Sequence, residues 1–387
     1  FVSAATGISV LLVITRALQA KPGSTPDASK LGNFWRDLTR STVTVLLPLS
    51  ILFSIVLVSQ GVVQTFSPDQ KITTLEGAEQ VVPLGPAASQ IAIKQLGTNG
   101  GGYFNTNSAH PLENPTPLSN FLQCLAILLI PAALVFTFGS LLGRRREAWV
   151  LYGVMMFLLV AGLSASLWSE FSGNPALGEQ AIMEGKETRF GVANSVLWST
   201  FTTAASNGSV NAMHSSLTPI AGMVATFNMM LGEIIFGGVG SGLYGMLLFV
   251  LLTVFLAGLM VGRTPEYLGR KIEAYEIKMV LIGLLAPSCA VLFFSALALV
   301  NDFGLSSLAN KGPHGLSEIL YAFTSAANNN GSAFAGLNAN TPFYNVSLGL
   351  SMLIGRFAVI IPVLLIAGSM AGKRVAPASA GTFRTDS

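Results

Sequence analysis

Long stretches without a single charged residue constrain this chain more than any other feature. Leu118 to Leu142, Trp149 to Trp168 and Met279 to Val300 carry no charge, and neither does Thr42 to Gln60. Another run extends from Pro219 to Val261 with a glycine-rich centre, and Val346 to Ala371 is interrupted only by Arg356. A helix needs roughly 20 apolar residues to cross a bilayer, so each run reads as a span. Phe1 to Leu18 reads as the tail of one more, which makes seven crossings in an all-α polytopic membrane protein. The chain is 51% hydrophobic but only 10% charged, whereas a soluble domain carries about 25% charged residues. That excludes an ordinary cytosolic or disordered protein. A net charge of +3 leaves no dominant basic patch for nucleic acid. Cys124 and Cys289 lie in apolar runs and build neither a disulfide framework nor a metal site. The start at Phe1 lacks the basic opening and cleavage site of a signal peptide, so the chain reads as a fragment.

Charge asymmetry orients the spans. Starting the first helix outside puts Arg16, Lys21, Lys30, Arg36, Arg40, Arg144 to Arg146, Arg263, Arg270, Lys271, Lys278, Lys373, Arg374 and Arg384 inside, 15 of 21 basic residues. Five basic residues fall outside and one, Arg356, within the membrane. Acidic residues divide into 7 inside, 10 outside and Glu233 in the membrane, so the balance is 15 − 7 = +8 inside and 5 − 10 = −5 outside. By the positive-inside rule the C-terminus is cytoplasmic.

Three outer segments are long: Gly61 to Pro117, Glu170 to Pro219 and Asn301 to Pro342. Each ends in an apolar stretch too short to span, the mark of a re-entrant segment. Phe201-Thr202-Thr203-Ala204-Ala205-Ser206-Asn207-Gly208-Ser209 matches Phe323 to Ser332 with one residue inserted, and Thr98-Asn99-Gly100-Gly101-Gly102 is related. In all three the Asn-Gly glycine lies 11 residues before a proline: Pro111, Pro219 and Pro342. Short helical runs precede them at Ala88 to Leu96, Val192 to Thr203 and Ser317 to Ala326.

The unit is therefore helix, short re-entrant helix, Asn/Gly turn, helix, and such repeats pack around an axis. Irregular backbone at membrane depth is tolerated only where it is buried or lines a wet cavity. A ring of such turns can present carbonyl oxygens to a dehydrated cation such as potassium. The candidate filter residues are Thr98, Asn99, Gly100 and Gly101; Ser206, Asn207 and Gly208; and Asn328, Asn329, Asn330 and Gly331. Any metal is K+ alone, held by backbone carbonyls.

Four glycines between Phe236 and Gly242 weaken helix inside the Pro219 to Val261 run. Gly237, Gly238, Gly240 and Gly242 therefore mark either a mobile loop beneath the turns or a closely packed kink. Gly240 to Gly245 fits G-x-G-x-x-G, but a nucleotide fingerprint requires a strand before it and a soluble βαβ unit, so no bound nucleotide is expected. Glu233 and Arg356 are the charges within spans. They face water or a partner. Arg356 either sets positive charge below the turns or pairs with Glu233.

Gln95 to Asn105, Phe236 to Gly245, Gly262-Arg263-Thr264-Pro265-Glu266-Tyr267-Leu268-Gly269 and Ala326 to Phe334 closely resemble the potassium-binding A subunit of the Kdp potassium-transporting ATPase, within the superfamily of potassium transporters. The resemblance covers Phe1 to about Lys373. It implies helix–pore loop–helix units in pseudo-fourfold arrangement, with the first pore repeat incomplete in this chain. The implied divisions are 1–18 (last helix of the truncated repeat), 38–142, 148–262 and 276–372 (pore repeats), and 373–387 (cytoplasmic tail). It further implies a non-catalytic subunit of the inner, plasma membrane of bacteria that binds external K+ and delivers it to a catalytic P-type ATPase subunit alongside accessory subunits. The sequence has no Walker A or Asp-Lys-Thr-Gly-Thr pattern of its own. A passive or ion-coupled potassium transporter of the same superfamily is the alternative.

Overall fold

The computed structural model describes residues 1–19, 31–173, 182–374 and 382–383. The tail at 373–387 lies largely outside the described residues, as do Lys21, Lys30 and Arg384. Among the described residues, six helices are long and apolar enough to cross a bilayer: Phe34–Ser59, Pro117–Leu142 (α5), Arg145–Ser172 (α6), Ser241–Val261 (α9), Ala274–Leu299 (α10) and Pro342–Gly372 (α13). They run to between 21 and 31 residues, which at ~1.5 Å per residue matches a hydrocarbon core ~30 Å thick. The first of them is composite. Phe34–Ser41 (α2) continues through a π-helical turn, Thr42–Leu46, into Leu47–Ser59 (α3), and the π turn stands immediately before the segment that holds Pro48, which cannot donate a helical N–H. Val2–Leu18 (α1) has 17 residues and Pro219–Met230 (α8) has 12, both short of a full span.

Burial follows a membrane pattern. Ile51, Leu52 and Ile55 on α3, Phe157 and Trp168 on α6, and Leu292 and Phe293 on α10 are exposed, whereas Gln95, Asn114, Asn120, Gln123, Thr202, Thr203 and Asn207 are buried. A chain whose outside is apolar and whose interior holds amides and hydroxyls is an integral membrane protein. α1 runs through the middle and packs on α2, α9 and α13.

Three short helices dip between the spans without crossing: Ala87–Leu96 (α4), Gly191–Ala204 (α7) and Pro313–Asn328 (α12), the last preceded by the single turn Asp302–Leu305 (α11). Each leads into an extended turn and then a helix that opens on proline, at Pro117, Pro219 and Pro342. Proline is favoured there because its φ is preset and the N–H has no partner anyway. Thr116 and Thr341 cap α5 and α13 by accepting from Ser119 N at 3.0 Å and Tyr344 N at 3.4 Å.

The structure corrects three sequence readings. The shared 11-residue spacing does not mark equivalent prolines, because in the first unit a turn at residues 111–116 follows Pro111 and the helix begins at Pro117. The break in the Pro219 to Val261 run starts earlier than its glycines suggest: α8 stops at Met230 and α9 begins at Ser241. Glu233 consequently lies in this irregular connection, at φ 53°, and not in a span. The chain also has small sheets. Gln70–Thr73 (β1) pairs antiparallel with Glu79–Val82 (β2) in the first outer segment, and Thr264–Tyr267 (β3) is flanked by Arg270–Lys271 (β4) and Thr382–Phe383 (β5).

Candidate functional site

The three turns share one backbone device. Thr98 and Gly100, Ser206 and Gly208, and Asn329 and Gly331 all have positive φ, while the asparagine between each pair does not. Alternating hands rotate successive peptide planes toward the same side, which lets consecutive carbonyls face one axis. Three non-glycine residues in this region cost about 1–3 kcal/mol each, strain that persists only where the surroundings enforce it. The enforcement repeats as well. Asn99 N–H donates to Lys94 O at 2.9 Å, Asn207 N–H to Thr202 O at 3.1 Å and Asn330 N–H to Ser325 O at 2.9 Å, each reaching back five residues into its own short helix. The short helices thus end at the turns, and their C-terminal carbonyls carry a partial negative charge that favours a cation there.

Neighbouring turns lock to one another. Asn207 Nδ2 donates to Lys94 O at 3.2 Å in the first unit, and Asn330 Nδ2 donates to Thr202 O at 2.9 Å in the second. Their Oδ1 atoms accept from Ser209 N at 2.9 Å and Ser332 N at 3.0 Å, and also from the Ser209 and Ser332 hydroxyls. A methyl at Gly100 would lie 1.6 Å from Asn207 O, and one at Gly208 would lie 2.2 Å from Asn330 O. Ser206 Oγ donates to Asn329 O at 3.4 Å. The turns therefore stand side by side in chain order, with backbone against backbone, at spacings only glycine permits.

The glycine-rich connection hangs directly beneath them. Val239 N–H donates to Thr98 Oγ1 at 3.0 Å and Gly237 N–H to Ala204 O at 3.1 Å, so it is tied to the first turn and to the end of α7. Gly237 and Gly242 touch through their α-carbons, and Gly240, at φ 82°, abuts Gly7 of α1. A cavity of about 280 Å³ is lined jointly by Thr98, Asn99, Ser206, Asn329, Gly238 and Arg356. A second, of about 400 Å³, is lined by Ser206, Glu233, Asn328, Asn329 and Arg356 together with α9, α10 and α13. The candidate residues of all three turns thus converge, whereas Gly101 stands clear, with no atom within 4 Å of a methyl placed on it. Arg356 and Glu233 share the second cavity but form no ion pair among the described residues, and Glu233 Oε1 is buried without a hydrogen-bond partner.

Sequence reasoning missed the residues behind the turns. Lys94, 3% exposed, pairs with the fully buried Glu113. Trp198 Nε1 donates to Ser209 O at 2.8 Å. His214 Nδ1 lies 2.8 Å from Tyr321 Oη, which lies 2.8 Å from Ser332 Oγ. The available signal was the serine two residues after each asparagine in the second and third copies.

Three re-entrant helices, each ending in a turn locked against the next, inside a bundle of spanning helices define the architecture of a pore-loop membrane transporter. The potassium transporter TrkH from Vibrio parahaemolyticus has this fold: the two superpose with a TM-score of 0.56 over 94% of this chain and 69% of that one, at 16% identity. The chain itself belongs to the family of the potassium-transporting ATPase A subunit, whose profile matches residues 1–387. It is 56% identical over 406 aligned positions to the potassium-transporting ATPase potassium-binding subunit of Sorangium cellulosum, covering all of this chain and 69% of the relative. It is 57% identical over 390 positions to that of Pseudomonas aeruginosa, covering 68% of it.

Proposed function

We propose that the chain binds external K+ among the turns at Thr98 to Gly101, Ser206 to Gly208 and Asn328 to Gly331, and passes it to a P-type ATPase subunit that supplies the energy. The observation that carries this reading is the side-by-side locking of turns with alternating φ above a shared cavity. Backbone carbonyls replace the hydration shell of the ion. No full negative charge sits in the turns themselves, so the site favours a cation that sheds its water readily. The connection at Leu231 to Gly240 blocks the direct path inward, with Gly237, Gly238, Gly240 and Gly242 allowing the close contacts and Arg356 adding positive charge below. The ion then leaves sideways through the cavity lined by Glu233 and by helices α9, α10 and α13.

The +8 inside and −5 outside charge balance supports a cytoplasmic C-terminus, and the resemblance to the family implies the plasma membrane of bacteria and accessory subunits assembled beside the chain. The names borne by the relatives support the ATPase partner. The alternative, a passive transporter, makes a different prediction for energy coupling. Purification of the intact protein from the membrane should recover a P-type ATPase, and K+ uptake should require ATP. Uptake that continues without ATP and without a co-purifying ATPase would overturn the proposal.

A further inference from the structure

One position recurs behind all three turns. The residue five places before each filter asparagine sits in the last turns of its short helix, and its side chain returns to the turn it precedes. Thr202 Oγ1 lies 3.5 Å from Asn207 Oδ1, and Ser325 Oγ accepts from Gly331 N–H at 3.0 Å. In the first unit the position is Lys94, whose Nζ donates to Gly101 O at 2.8 Å. Two hydroxyls and one ammonium thus occupy equivalent places.

The ammonium is held tightly. Lys94 Nζ also donates to Ser108 Oγ at 3.1 Å and pairs with Glu113 Oε1. Glu113 Oε2 accepts from Tyr103 N at 3.0 Å and Phe104 N at 3.3 Å. The pair thereby grips the backbone on both sides of Gly102. A second buried pair, Lys186 with Glu170 at 3.0 Å, grips backbone in the same way at Ser216 O and Thr218 N, but it does so in the outer connection before α8 and not at a filter turn.

The first turn needs this hold more than the others do. Gly100 and Gly101 are consecutive residues at positive φ, and a methyl placed on Gly101 would meet no atom within 4 Å. Glycine is the least constrained residue, so an untethered pair would wander. We propose that Lys94 is a positioning and specificity residue of the first turn. It aims the Gly101 carbonyl, while Glu113 cancels its charge so that the ammonium does not repel the ion. The inference rests on the filter reading above.

The test is K+ uptake by the intact protein assembled with its ATPase subunit. Glu113→Gln leaves an unbalanced ammonium behind the turn and should raise the KM for K+ at least about tenfold with kcat within about twofold. Adding Lys94→Gln removes the charge but keeps an amide donor for Gly101 O, and should return KM to within about threefold of the original. Lys94→Met with Glu113→Gln removes charge and donor together, and should weaken discrimination between K+ and Rb+ by about fivefold or more. A role confined to holding the fold would move none of these selectively. An unchanged KM in Glu113→Gln, or equal Rb+ discrimination in the two double variants, overturns the proposal. Where the methionine variant fails to assemble, the KM comparison between Glu113→Gln and Lys94→Gln/Glu113→Gln decides it. Gly208→Ala run alongside separates the two readings. If it loses discrimination while the Lys94 variants keep it, this inference falls and the filter stands. If it too keeps discrimination, the filter reading itself falls.

Discussion

The first turn and the two that follow it reach a similar backbone by different means. In the second and third, a buried asparagine reaches across to the preceding unit's helix and the serine two residues on closes the loop. In the first, Asn99 is exposed, glycines stand where the serine would be, and a lysine–glutamate pair takes over from behind. Carbonyl geometry can thus be set by a lateral amide clasp or by an ionic tether. The clasp makes each turn depend on its neighbour, whereas the tether makes the first depend on its own loop.

The largest effect expected tests what the turns have in common. A methyl at Gly208 meets Asn330 O at 2.2 Å on a backbone at φ 84°, and one at Gly100 meets Asn207 O at 1.6 Å at φ 68°. Either alanine forces the turns apart at a cost of about 3 kcal/mol or more. Uptake at low K+ should fall at least ~100-fold, with K+ preference over Rb+ and NH4+ relaxed. Discrimination that survives both substitutions would show that the turns are not the selective element.

Next comes the clasp. Asn330→Ala removes the bond to Thr202 O and both bonds to Ser332, leaving buried groups unpaired at a cost of about 2–4 kcal/mol. K+ affinity should fall by about tenfold or more, and titration of K+-stimulated uptake measures it. Asn99→Ala sharpens the contrast. The rule that each asparagine reaches the preceding unit's helix applies to Asn99 only if a further short helix stands before it. A loss matching that of Asn330→Ala reports such a helix, and a silent substitution reports that the first turn relies on Lys94 and Glu113.

A smaller effect is expected where the first turn meets the connection below. Thr98→Val keeps shape and removes the acceptor for Val239 N–H, a loss of about 1–2 kcal/mol. The connection should open more often, which makes the readout an ATP-independent K+ leak raised about three- to tenfold. A leak no higher than in the unaltered protein would detach the connection from any gating role.

Most of the spans and all three short helices were legible because apolar runs and the Asn-Gly repeat are local signals. Glycine at 100, 208 and 331 announced left-handed backbone in the same way. What escaped was set by tertiary packing. The end of α8 at Met230 has no breaker before Gly232, and the placement of Glu233 in the connection follows from hydrogen bonds that Gly237 and Val239 make to distant units. Nothing local in the sequence pairs Lys94 with Glu113, 19 positions away. The matching distances to Pro111, Pro219 and Pro342 misled because in the first unit a further turn at residues 111–116 stands between that proline and the helix, which starts at Pro117.

The smallest effect at neutral pH concerns the relay that supports the third turn from the second unit's outer connection. Serine 332 donates its proton to Asn330 Oδ1, so Tyr321 donates to Ser332 and His214 Nδ1–H donates to Tyr321, a chain with one consistent direction. Burial pushes His214 down to about 4, whereas an unfolded histidine titrates near ~6.5. The unfolded chain therefore binds the extra proton first, and stability rises with pH between these values. The contribution of His214 is complete above ~6.5 and is lost progressively as pH falls toward 4. Uptake from pH 7 to 8 should accordingly be indifferent to this residue's ionisation, and thermal stability of the purified protein should decline below pH ~6.5. His214→Gln keeps a donor for Tyr321 without the titration, and should flatten that decline while changing K+ affinity at pH 7.5 by less than about twofold. An unaltered acid slope in the glutamine variant would assign the decline to other groups and leave the relay a matter of packing alone.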